Sequence, residues 1–215
     1  MIRHEKFQDI VNKDFGESFK TLLECRNFKD LCSVINDISQ NYELYGYSDS
    51  NVEDEVVPGS LKFRGDLFEI FAEIFFKIND ADNRIGVFGY EPVLSHDDNG
   101  VDGTSKNIDG LQTTIQVKFR LNPTYQLKER DIKQFGFQSI LKYGVDIKQS
   151  NNMIIFTNCE GLHWYTDNNV FLNKLRVING DFISRLIDNN EGFWNSAKNL
   201  MNDTLQKIGI DYITI

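Results

Sequence analysis

Cysteine is scarce in this 215-residue chain, with three in all. Cys25, Cys32 and Cys159 are odd in number and far apart, which excludes a disulfide framework and a zinc-ligand spacing and fits a reducing cytoplasm. Long apolar runs are missing too. None approaches the ~20 residues of a membrane-spanning helix, and no apolar stretch follows the polar opening Met1–Lys6, so neither a membrane anchor nor a secretory signal is expected. There is no internal repeat and no low-complexity tract. Positive charge is short overall: a net charge of −9 argues against a protein that coats nucleic acid by bulk attraction. What the chain does have is apolar mass, 40% hydrophobic residues with 17 Phe. That suffices for one domain with a sizeable core and a modest extension.

Hydrophobic spacing divides the chain. Up to residue 47, Phe19, Leu22, Leu23, Phe28, Leu31, Val34, Ile35 and Ile38 recur at three- and four-residue steps and predict helix. Ser48–Glu55 is polar and acidic and closes on Pro58-Gly59, so residues 1–58 read as a helical extension and linker. Residues 59–215 read as the main domain. Asp66–Lys77 predicts a helix with Leu67, Phe68, Phe71, Ile74, Phe75 and Ile78 inward and with Glu69 and Glu73 four apart on one face. Ile85–Leu94 and Leu111–Leu121 predict strands, the second broken by Asn122-Pro123. Leu127–Tyr143 predicts a helix, with Ile132, Phe135, Ile140 and Leu141 inward and Gly144 at its C-cap. Met153–Phe156 is a fully apolar run, as in a strand buried on both faces. Helices follow from Gly180 to Ile187 and Glu191 to Ile208, with an edge strand at Tyr212–Ile215. The expected class is α/β: a small mixed β-sheet flanked by helices, in which the Met153 strand runs parallel to a neighbour after a crossover helix.

The chemistry concentrates between Asp98 and Arg120. Asp98, Gly100 and Asp102 form Asp-x-Gly-x-Asp, and Gln116-Val117-Lys118 ends a strand. Strand alternation sends Gln116 and Lys118 one way and Ile115 and Val117 into the core. A carboxylate on a glycine-flanked turn, an amide oxygen and an ammonium suit a divalent metal and its water. Asp102, the Gln116 oxygen and the Val117 backbone carbonyl make a sufficient inner shell for magnesium, which keeps several waters. Lys118 can orient water or neutralise charge on phosphorus. Glu69 or Glu73 can support the metal shell, and Asp98 is either a further ligand or a turn cap. Downstream, Lys118, Arg120, Lys128, Arg130, Lys133, Lys142 and Lys148 face three acids, a local balance of +4 beside an acidic stretch. That is the charge layout of a metal-dependent nuclease.

Asp98-x-Gly100-x-Asp102-Gly103 with Gln116-x-Lys118 resembles the catalytic core of the Mrr-like branch of the PD-(D/E)XK nuclease superfamily, in which glutamine often replaces the acid of the signature. Gly65–Glu69 resembles its opening acidic helix, Ile132–Leu141 the helix after the lysine strand, and Ile154–Asn158 the next strand; the likeness covers roughly residues 60–160. It implies a restriction-endonuclease-like fold, catalysis by Glu69, Asp102, Gln116 and Lys118, dependence on Mg2+ (with Mn2+ able to substitute), and cleavage of DNA to leave a 5′-phosphate. Arg120, Lys128, Arg130 and Lys133 are the expected DNA contacts. Val177–Phe182 through Trp194 resembles the tail of nuclease-like domains attached to helicases. This sequence has no Walker motif, so a helicase or ATPase partner would be a separate polypeptide. A homodimer is compatible with cutting both strands. The alternatives are a catalytically weak or inactive DNA-binding or assembly protein on a nuclease-derived fold, and a junction resolvase; RNA as substrate stays open.

Other residues have plainer readings. His96 is expected as a loop residue, and His163-Trp164-Tyr165 as packing. Tyr125 is a candidate nucleotide contact.

Overall fold

In the computed structural model, the structure describes residues 1–3, 5–12, 22, 24–45, 47–52, 55–80, 82–94, 100–149, 151–163 and 174–208. Asp98 and His96, Trp164 and Tyr165, and the expected edge strand Tyr212–Ile215 lie outside them. The chain forms two compact units, Met1–Ile74 with Ser184–Ile215, and Phe75–Ile183.

In the first unit the described residues before 47 hold α1 (Glu5–Asn12), α2 (Phe28–Ile38) and a 3-10 stretch Ser39–Tyr45, while Phe19 and Leu23 of the expected helix lie outside the described residues. The α2 stripe Phe28, Leu31, Ile35 and Ile38 is buried. The acidic segment expected as loop holds a short antiparallel hairpin, β1 (Ser50–Val52) with β2 (Glu55–Val57). It also supplies a cap. Asp49 Oδ1 accepts from the Gly59 N–H and from the Tyr42 hydroxyl, both at 2.9 Å. That satisfies an N-terminal amide of the long helix α3 (Gly59–Ile78), which therefore starts seven residues before the expected Asp66. Within the first unit, Phe28 meets Phe68 and Phe71 at centroid separations of 6.3 and 5.9 Å, and Phe71 meets Phe193 edge-on at 6.5 Å. Phe193 and Trp194 come from α6 (Glu191–Lys207), and the Trp194 indole donates to Ile187 O, the last residue of α5 (Gly180–Ile187).

The second unit holds a mixed five-stranded sheet in the order β3 (Phe88–Pro92), β4 (Gly103–Lys106), β5 (Gln112–Lys118), β7 (Met153–Thr157), β9 (Leu175–Ile178). β3, β4 and β5 are an antiparallel meander, while β5, β7 and β9 run parallel. Helix α4 (Glu129–Leu141) joins β5 to β7, as a parallel pair requires. A two-residue pairing of β6 (Gln126–Leu127) with β8 (Gly161–Leu162) lies between these elements in the chain. The α/β class and the mixed sheet agree with expectation. β3 is shorter than expected because Arg176 donates to the carbonyls of Arg84 and Ile85 and holds them in a turn.

β7 is buried throughout. Its Met153 and Ile155 pack with Val101, Leu127, Ile132, Phe135, Val145 and Cys159. Alternation sends Phe156 to the opposite face, where its ring lies 5.1 Å from both Phe75 and Phe76, and Phe76 stacks on Tyr90 at 5.0 Å. The inward side of α4 is Ile132, Phe135, Gly136 and Ser139. Leu141, expected inward, is 69% exposed.

Candidate active site

Asp102 stands at the opening of β4, between two glycines needed for different reasons. Gly100 has a φ of +85°, a left-handed backbone that other residues rarely adopt. At Gly103 an added Cβ would lie 2.3 Å from the Tyr90 ring, so only glycine fits. The Asp102 backbone is held on both sides: its N–H donates to Ile115 O, and its carbonyl accepts from Val93 N, each at 3.0 Å. Its carboxylate is drawn into the ladder as well, since Oδ2 accepts from the Val117 N–H at 2.6 Å. The turn thus acts as an extension of the strand pair, and the carboxylate is buried at 8% exposure.

Gln116 departs from the sequence expectation in an informative way. It shares a face with Thr114, as alternation requires, but that face is covered. Thr114 Oγ1 donates to Ser139 Oγ of α4 at 2.8 Å, and Gln116 is only 2% exposed. Gln116 Nε2 donates to the Gly100 carbonyl at 3.0 Å. A carbonyl can only accept, so this bond sets which way the amide faces. Oε1 is left buried, with no hydrogen-bond partner among the described residues. Such an acceptor costs about 1–3 kcal/mol if nothing meets it. An amide oxygen beside a carboxylate-bearing turn is a ligand type for a hard cation. Two hydrogen bonds therefore tie residues 100–102 to residues 116–117.

Lys118 ends β5 half-buried, and among the described residues no carboxylate pairs with its ammonium. The strand end is held from β7 by residues that sequence reasoning had not singled out. Thr157 Oγ1 donates to Lys118 O at 2.7 Å. The Asn158 amide brackets Arg120, accepting its N–H and donating to its carbonyl at 2.7 Å each. The one sequence signal for them is that two polar residues follow an all-apolar strand.

Of the expected DNA contacts, Lys128, Arg130 and Lys133 are exposed. Arg120 is engaged elsewhere: its guanidinium meets Asp131 Oδ1 at 3.3 Å and lies 5.6 Å from the centroid of the Tyr125 ring. Tyr125, read as a nucleotide contact, donates its hydroxyl to Asp131 Oδ2 at 2.9 Å, where the Lys128 N–H also donates at 2.8 Å. Burial pushes the Asp131 carboxyl up, but the Lys128 amide, the Tyr125 hydroxyl and Arg120 outweigh it and hold the carboxyl below its usual range. A depressed carboxyl stabilises the fold above its unfolded pKa, and that contribution is lost as pH falls through the folded pKa. Asp131→Asn is expected to cost about 1 kcal/mol at pH 7. In urea titrations the gap from the parent should close as pH falls below about 4.

The helix carboxylates lie in the first unit. Glu73 is fully buried and accepts from the Arg3 N–H at 2.6 Å, while Glu69 is half-buried. Asp102, Gln116, Val117 and Lys118 lie in the second unit. Burial pushes the Cys25 thiol up to about 11 and the Cys32 thiol up to about 12, leaving almost no thiolate at either near neutral pH. Among the described residues no three His, Cys, Asp or Glu side chains gather as a metal-ligating group. None of the described helices is long and apolar enough to cross a membrane. Comparison with known protein families finds no match to this chain, and comparison with curated proteins finds none either.

Proposed function

We propose that the second unit carries the centre of a metal-dependent DNA endonuclease with a restriction-endonuclease-like core. One observation carries this reading: the buried Oε1 of Gln116, which has no hydrogen-bond partner among the described residues, on the strand whose next amide is held by the Asp102 carboxylate. The order α3, Asp102 turn, β5, α4, β7 is the order that the resemblance implies. Asp102, Gln116 Oε1 and the Val117 carbonyl, all of the second unit, would hold Mg2+ or Mn2+. Such an ion supplies Lewis-acid polarisation of a phosphoryl oxygen and a more acidic water. The chain's own residues do the rest. Lys118 neutralises the charge that develops on the phosphoryl group and orients the attacking water. Gly100 O, by taking the Gln116 amide, keeps Oε1 turned away from itself. Arg130 and Lys133 position the backbone of the nucleic acid.

The test is nicking of supercoiled plasmid. The protein with Mg2+ or Mn2+ should yield open circles, and EDTA should stop it. Lys118→Ala should slow nicking by roughly 10²–10³-fold with an unchanged melting temperature. Full activity in both Lys118→Ala and Asp102→Ala would sink the reading. A binding or assembly role without cleavage is favoured by one fact, that Asp102 Oδ2 is already occupied by a backbone amide. Branched, duplex and RNA substrates that are bound but never cut would establish that role, and preferential cutting of four-way junctions would indicate a resolvase.

A further inference from the structure

We infer that the outward stripe of α4 is a contact surface for single-stranded nucleic acid, on which Phe137 stacks a base. Arg130, Lys133, Gln134, Phe137 and Leu141 follow steps of three and four residues, so they share one side of the helix, opposite the buried Ile132, Phe135 and Ser139. Phe137 is 62% exposed and Leu141 69% exposed. Phe137 and Leu141, four residues apart, bring adjoining apolar surface to the solvent side of the helix, with cations one turn away.

The charge decides what kind of partner. Arg130 and Lys133 are exposed cations on the stripe, and the chain as a whole carries −9. The stripe offers no carboxylate of its own that a second copy could set against Arg130 and Lys133. An anionic partner is favoured, and it must also offer flat apolar surface to an aromatic ring. Single-stranded nucleic acid presents both, phosphates for Arg130 and Lys133 and unpaired base faces for Phe137. A duplex keeps its base faces stacked inside and has nothing for the ring. The choice of nucleic acid over another anion rests on the nuclease reading. The link to that site is physical: a Cβ built on Gly100 would lie 3.5 Å from Gln134 Cγ, and Gly100 O holds the Gln116 amide. Gln134 of the stripe therefore stands beside Gly100 of the candidate site, within one unit.

The experiment uses the full chain with fluorescently labelled oligothymidylate twelve nucleotides long, in EDTA so that binding is read without cleavage. Binding at low salt is expected, with Phe137→Ala weakening it about tenfold and Phe137→Tyr restoring it. Replacing both Arg130 and Lys133 by Ala should flatten the slope of log affinity against log salt by about 1.4, from ~0.7 per phosphate contact. A duplex should bind more weakly than the single strand and should not respond to Phe137→Ala. The inference is overturned if oligothymidylate does not bind, or if Phe137→Ala leaves its affinity unchanged. It is equally overturned if Phe137→Ala instead dissolves a dimer in sedimentation, or weakens only the binding of an acidic, leucine-containing peptide. The two readings separate cleanly. Phe137-dependent binding without plasmid nicking removes the nuclease and keeps the surface; nicking with Phe137-independent binding removes the surface and keeps the nuclease.

Discussion

Gln116→Glu should turn a stable protein into one whose stability depends on pH and on divalent cations. The residue is 2% exposed, and its Nε2 now donates to Gly100 O at 3.0 Å. A glutamate there keeps that bond only when protonated. Ionised, it sets an acceptor against an acceptor and buries a charge, and a buried unpaired charge costs several kcal/mol. Both effects raise the folded-state pKa above the unfolded value of about 4.3. The native state then binds the proton more tightly than the unfolded state does. Stability is greatest below the unfolded pKa, falls as pH rises, and levels off above the folded pKa. At pH 7 without metal, the substituted protein should melt well below the parent, and the gap should narrow toward pH 5. Millimolar Mg2+ or Mn2+ should narrow the gap at pH 7, because a cation beside Asp102 reverses the sign of the burial effect. Thermal melts at two pH values, with and without metal, decide the matter. Equal stability at both pH values without metal would mean that water already reaches Oε1. A deficit that no cation relieves would remove the metal site.

Phe156→Ala should cost about 3–5 kcal/mol, the range for emptying a buried phenylalanine site. Phe156 is fully buried in the middle of the parallel half of the sheet, pairing with Val117 on one side and Ile178 on the other. Its ring is wedged against Phe75 and Phe76, each 5.1 Å away, so the space left has rigid aromatic walls and collapses poorly. In urea the midpoint should fall with little change in slope, as for lost stability rather than an altered unfolded state. Phe156→Leu should cost appreciably less, because it refills most of the volume. Equal costs for the two would show that the site relaxes around either residue. Phe156 faces away from Gln116, so at temperatures where the variant is folded its metal response should match the parent's.

The core was readable because it rests on periodicity. Met153–Phe156 read as a strand buried on both faces, and Leu67, Phe68, Phe71, Ile74 and Phe75 read as an inward stripe. Boundaries were less readable where a distant group sets them. α3 starts at Gly59 because Asp49, ten residues earlier, accepts its amide. β3 begins at Phe88 because Arg176, far along the chain, holds the carbonyls of residues 84 and 85. For the candidate site, the glycine-flanked turn at Asp102 and the alternating strand through Gln116 and Val117 were legible, but the bond from the Val117 amide to the Asp102 carboxylate was not. The engagement of Arg120 and Tyr125 was not, because Asp131, which recruits both, looks in sequence like an ordinary first-turn acid of a helix.

Composition and spacing alone determined the α/β class, the apolar strands and helix stripes, and the fact that Gln116 and Lys118 share one side of a strand. Alternation is a local property of the backbone, so no tertiary information was needed for it. Only the tertiary structure decided what that side meets. α4 covers Gln116 and leaves its oxygen buried, the Asp102 carboxylate closes on the Val117 amide, and Thr157 and Asn158 hold the end of the lysine strand. Each of these depends on groups brought together across tens of residues, and periodicity gives the direction of a side chain without naming its neighbour.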